Sequence, residues 1–159
     1  MNAGYRLPLA AVCIAAIAGC ASVTSGIAFQ PPSGWTGTPA MFGHFQMWMK
    51  SGQQKGSAQM LMLVRGDVKN TRTDLNALPP QLGNDMRVVR HGSVMLCGGT
   101  QPAQEYVAVG TDRNGKRSQM ELTSTVIGSD RYVAMYVRPL NTPADPQAEA
   151  ATRSLCPVK

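Results

Sequence analysis

Gln119 to Arg138 reads QMELTSTVIGSDRYVAMYVR. Successive side chains of a strand point to opposite faces, and the first half of this stretch keeps that period. Gln119, Glu121, Thr123 and Thr125 fall on one side, and Met120, Leu122, Ser124 and Val126 on the other. Gly128-Ser129-Asp130 interrupts the run with turn-forming residues. Beyond it Val133, Met135 and Val137 oppose Tyr132, Ala134 and Tyr136. Two alternating runs joined by so short a link pair antiparallel. Upstream, Glu105 to Gly110 is a further strand candidate. It is followed by Asp112-Arg113-Asn114-Gly115-Lys116, whose Asn-Gly pair supplies the positive φ angles of a tight hairpin turn. Three neighbouring strands on short turns make a meander.

Working outward, His44 to Lys50 (HFQMWMK) and Ala58 to Arg65 (AQMLMLVR) are strand-like, with the turn-rich loop Ser51 to Ser57 between them. They predict an antiparallel hairpin with Phe45, Met47 and Met49 on one face, and Met60 and Met62 sharing a face of the second strand. Asp67 to Leu78 (DVKNTRTDLNAL) is the candidate for a first helix, stopped by Pro79-Pro80. Arg87 to Cys97 holds two short apolar stretches around Gly92. The last element reads as a helix. Asp145 is its N-cap, Pro146 suits its first position, and Ala148, Ala151, Thr152 and Leu155 follow helical spacing. Cys156 ends that face, placed to staple the helix to the strand carrying Cys97. The fold class is therefore α+β: an antiparallel β-sheet, hairpin plus meander, with a C-terminal helix and one further helix packed on it. Cys20 to Ser33, rich in Ser, Thr and Gly and containing Pro31-Pro32, reads as a tether. Residues 34–159 form a single domain.

This order of hairpin, helix, meander and closing helix resembles the PsbP-like fold. The likeness rests on Pro32-Ser33-Gly34-Trp35, the Tyr132-to-Pro139 strand and the Ala148-to-Cys156 helix. That family includes the extrinsic subunit of the oxygen-evolving complex and many small bacterial lipoproteins. The resemblance implies a binding or assembly module, because the fold has no common catalytic site.

The N-terminus carries an address. Met1 to Arg6 is polar with one positive charge, and Leu7 to Ala18 (LPLAAVCIAAIA) is an apolar run of signal-peptide length, too short to span a bilayer. It ends in Ile17-Ala18-Gly19-Cys20, which resembles the lipobox of bacterial lipoproteins. The resemblance implies a signal peptide over residues 1–19 and acylation of the Cys20 sulfur. An ordinary secretory cleavage after Ala28 is the alternative, since Gly26-Ile27-Ala28 also offers small residues. Ala21, and not Asp, follows the cysteine, which in diderm bacteria resembles outer-membrane cargo.

Cys13 would be removed and Cys20 lipidated, leaving Cys97 and Cys156, an even pair for an oxidising compartment. A disulfide between them closes a loop of about sixty residues, worth about 4 kcal/mol in the chain-entropy model. The alternative is two free thiols, one of them catalytic. No CxxC is present and no His lies near either cysteine in sequence.

The 159-residue chain, 43% hydrophobic and 15% charged, has room for one core and excludes a collagen, a long coiled coil and a multi-span membrane protein. Its histidines are His44 and His91, and it lacks HExxH, GxSxG, P-loop and GxGxxG motifs. Most carboxylates fall in turns or caps, and none forms an evident acid–base pair. A non-enzymatic protein without cofactor is expected, with a membrane and an envelope protein as its contacts. Removing residues 1–19 leaves 14 basic residues against 9 acidic, a net +5 without a basic run interleaved with aromatics, so nucleic acid is not an expected partner. One alternative of a different class remains. His44, Met47, Met49, Met60 and Met62 cluster on the predicted hairpin, and thioethers suit Cu(I). Equally, methionine fills irregular core gaps.

Overall fold

In a computed structural model of the chain, residues 22–41, 43–52, 57–68, 86–111 and 115–158 are described. Seven strands build one sheet: β1 (Thr36–Gly37), β2 (Phe45–Lys50), β3 (Gln59–Asp67), β4 (Arg87–Leu96), β5 (Gln101–Thr111), β6 (Arg117–Ile127) and β7 (Asp130–Pro139). A single helix among the described residues, α1 (Pro146–Thr152), follows. The spatial order is β1-β2-β3-β7-β6-β5-β4, and every neighbouring pair is antiparallel.

The meander is β4 to β7, one strand longer than the alternation predicts. β7 then pairs with β3, from Met60↔Val137 to Asp67↔Asp130, and so joins meander and hairpin into one sheet. The reason is legible in β7 itself. Tyr132, Val133, Ala134 and Tyr136 are all buried, so both faces of this strand need cover, which a strand obtains at the middle of a sheet. Arg87 to Leu96 forms one continuous strand instead of two apolar stretches, with a register shift between Val88 and Arg90.

The faces bury different things. On one, Trp48, Leu61, Leu63, Leu96, Ala103, Tyr132, Ala134 and Tyr136 meet Val23, Ile27, Phe29 and Trp35 of the N-terminal segment and Ala148, Ala151 and Leu155 of the C-terminal one. On the other, Ala108, Met120, Leu122 and Val133 form a second cluster flanked by Val64, Met86, Tyr106, Met135 and Val137.

Two expectations are corrected. The stretch read as a tether is, from residue 22 onward, part of the domain: Val23 is fully buried and Ile27 and Phe29 nearly so. Its polar composition hides these apolar anchors, which fill the core beside α1. The closing helix also ends at Thr152, so Leu155 and Cys156 lie beyond it. The last turn tightens, with the Arg153 and Ser154 N–H groups donating three residues back to the Ala150 and Ala151 carbonyls, and Pro157 forms an antiparallel bridge with Ile27. The Asp145 cap and Pro146 start are as predicted. Of the helix expected over Asp67–Leu78, Asp67 closes β3 and Val68 is in a turn, while 69–78 lie outside the described residues.

Candidate functional site

Three places gather side chains of chemical interest. The first is the end of the sheet where β3, β6 and β4 finish and β7 and β5 begin. Asp67 pairs with Asp130, Asp130 with Ile127, and Leu96 with Gln101 at this end. The first and last described segments converge here. The Tyr132 hydroxyl donates to the Ser25 carbonyl, Ala28 N–H donates to the Cys156 carbonyl at 2.7 Å, and Val158 N–H donates to the Gly26 carbonyl at 3.1 Å. Cys97, in the turn after β4, is joined to Cys156 as a disulfide with Cα atoms 5.6 Å apart. Cys97 adopts φ 58° and is followed by two positive-φ glycines, Gly98 and Gly99, so the Cys-Gly-Gly sequence supplies the left-handed turn that aims the sulfur at the tail. Cys20 lies outside the described residues.

The second place is around Asp145 at the opposite end. Its carboxylate accepts from the Gln147 N–H at 2.9 Å as the α1 cap, from Lys50 Nζ at 2.7 Å and from Trp35 Nε1 at 3.2 Å. Burial works against the charge, yet these hydrogen bonds outweigh it and hold the carboxyl below its ordinary range. The Tyr136 hydroxyl donates to Gln59 Oε1 and accepts the Asp145 backbone N–H at 2.9 Å. Burial pushes this phenol up. Every group here has a structural partner.

The third place is a row of methionines. Met47 pairs with Met62, Met62 with Met135, and Met49 with Met60, all on the face opposite α1. Facing residues of adjacent antiparallel strands lie about 5 Å apart, so three thioethers from three strands stand abreast. Met62 is buried, Met47 and Met135 are half-buried, and Met49 is exposed. Met135 escapes a hairpin-only reading because nothing local reveals that β7 pairs with β3.

The remaining sequence candidates are dispersed. His44 is exposed in the turn before β2, with its backbone N–H on the Met41 carbonyl. His91 is exposed on β4, its ring 5.9 Å from that of Tyr106. Trp48 alternates away from its methionine neighbours, as expected, and packs 5.2 Å from Phe29. Glu105 pairs with Arg153 at 2.6 Å and Asp130 with Arg65 at 2.6 Å. Among the described residues no three of His, Cys, Asp and Glu converge as metal ligands. The described residues contain no helix long and apolar enough to cross a membrane.

No family model matches the chain. No curated protein matches it either. Solved structures do. The chain is similar to PA94 from Pseudomonas aeruginosa, a protein of unknown function, with a TM-score of 0.54 and 13% identity over 83% of this chain and 88% of that one. A protein from Bacteroides thetaiotaomicron is 14% identical with a TM-score of 0.49, over 82% of this chain and 44% of that one. At such identity the likeness to PA94 is one of fold.

Proposed function

We propose that the chain is a lipid-anchored protein of the bacterial cell envelope, held through Cys20, with a non-enzymatic binding or scaffolding role. The observation that carries this reading is the Cys97–Cys156 bond. It suits an oxidising compartment, which is where the Ile17-Ala18-Gly19-Cys20 sequence would send the chain. A small domain with its own core gains local concentration at a membrane from acyl chains without a spanning helix. Among the described residues Asp145 is engaged as a cap and with Lys50, Glu105 with Arg153 and Asp130 with Arg65, which favours binding over catalysis as the role of the domain.

Intact mass of the protein extracted from native membranes, before and after reduction and alkylation, tests it. The expected mass is residues 20–159 plus acyl chains, with Cys97 and Cys156 alkylated only after reduction. A soluble product beginning near Phe29 with two reactive thiols would overturn the anchor.

A second reading has a specific observation in its favour. The Met47–Met62–Met135 row offers three soft donors on adjacent strands, a donor set suited to Cu(I). Titration with Cu(I) under reducing conditions decides it. Tight binding abolished by Met62→Leu with Met135→Leu supports a copper site, and no binding, or binding unchanged in that variant, assigns the row to packing.

A further inference from the structure

We infer that the disulfide-bearing end of the sheet rests directly on the bilayer surface, so that the domain has a fixed orientation instead of swinging on a tether. The inference builds on the reading that Cys20 is acylated. Val23 is fully buried against the sheet, and Ser25 and Gly26 are tied to Tyr132 and to the C-terminal tail at that same end. Only three residue steps separate Cys20 from Val23. Fully extended they reach about 10 Å, whereas the headgroup layer of one leaflet is about 5–7 Å thick. Acyl chains on Cys20 therefore hold Val23 within about 5 Å of the headgroup surface.

The surface at this end suits the contact. Val68, Met95, Val126 and Val158 are exposed around it, together with Met41, which bridges to Phe45 beside the end of β3. Val68 N–H donates to the Ser129 carbonyl, and Val126 pairs with Arg131, which places both beside the β6–β7 turn. Met95 pairs with Pro102 beside the Cys97 turn, and Val158 follows the Pro157 bridge. The exposed Met49, Val89 and Leu140 lie toward the opposite end. Single apolar side chains cost little in water, but several at one end of the sheet add buried area on entering the interface. The occupant is a lipid surface.

The test uses full-length acylated protein in nanodiscs of phosphatidylethanolamine and phosphatidylglycerol doped with a gadolinium-headgroup lipid. Amide signals of Gly98, Gly99, Gly128 and Ser129 should broaden severalfold more than those of Asn141 and Thr142 at the other end. In Met95→Glu/Val126→Glu, whose altered side chains are solvent-exposed in the wild type, that contrast should shrink while the protein stays anchored. Equal broadening at both ends overturns the orientation, and an unchanged contrast in the variant overturns the part given to the exposed apolar side chains. A mass without acyl chains on Cys20 overturns the anchor itself, so the two failures read differently.

Discussion

Asp145 serves three elements at once: it caps α1, receives Lys50 from the end of β2 and receives the Trp35 indole from the segment before β1. Because its carboxyl sits below the ordinary carboxylate value, its contribution to stability is complete above that value and is lost as pH falls through the lower, folded value. Asp145→Asn keeps an acceptor for the cap and removes only the charge. The variant should therefore unfold at lower urea than wild type at pH 7, and the gap should close as pH drops below about 4, the unfolded carboxyl range. A gap that persists into strong acid would show that the charge contributes nothing. Tyr136 makes a different demand. Tyr136→Phe strands Gln59 Oε1 and the Asp145 N–H, and a buried group left unpaired costs about 1–3 kcal/mol. Equilibrium denaturation should show a loss of that size, against almost none for Tyr106→Phe, whose ring is half-buried beside exposed His91.

The N-terminal segment behaves as an element although it contains no helix or long strand. Ile27 is 4% exposed and bridges to Pro157, so Ile27→Ala should cost about 2–5 kcal/mol, as a buried Ile→Ala does. A loose tether would lose nothing measurable at that position, and thermal denaturation separates the two outcomes. α1 has the opposite character. It is short, and its seven residues would not hold a helix alone. Its stability comes from Ala148, Ala151 and Thr152 against β6 and β7, where small side chains let the backbone come close.

At the scale of the molecule, the disulfide ties the free end of the β4–β5 hairpin to the C-terminal tail, and backbone hydrogen bonds tie that tail to the N-terminal segment. Its partners are 59 residues apart in sequence, so removing it with Cys97→Ala/Cys156→Ala should lower stability by about 4 kcal/mol through the unfolded chain's regained freedom. Reduction of the wild type should reproduce that loss in chemical denaturation, and a resistant fold would show that the hydrogen bonds between the tail and the N-terminal segment suffice. The sequence by itself determined what depends on neighbours along the chain. Alternation gives the strands and their faces, Gly-Ser-Asp gives the β6–β7 turn, and Asp145-Pro146 gives the start of α1. The pairing of Cys97 with Cys156 was legible too, since only those two cysteines remain once residues 1–20 are set aside. Tertiary structure decided what depends on distant partners. The pairing of β3 with β7, the alignment of Met135 with the hairpin methionines, and the docking of Val23, Ile27 and Phe29 are contacts between segments far apart in the chain. Local propensity carries no term for them. They are selected because burying both faces of β7 requires strands on either side of it and apolar cover above, which only the assembled sheet and its terminal segments supply.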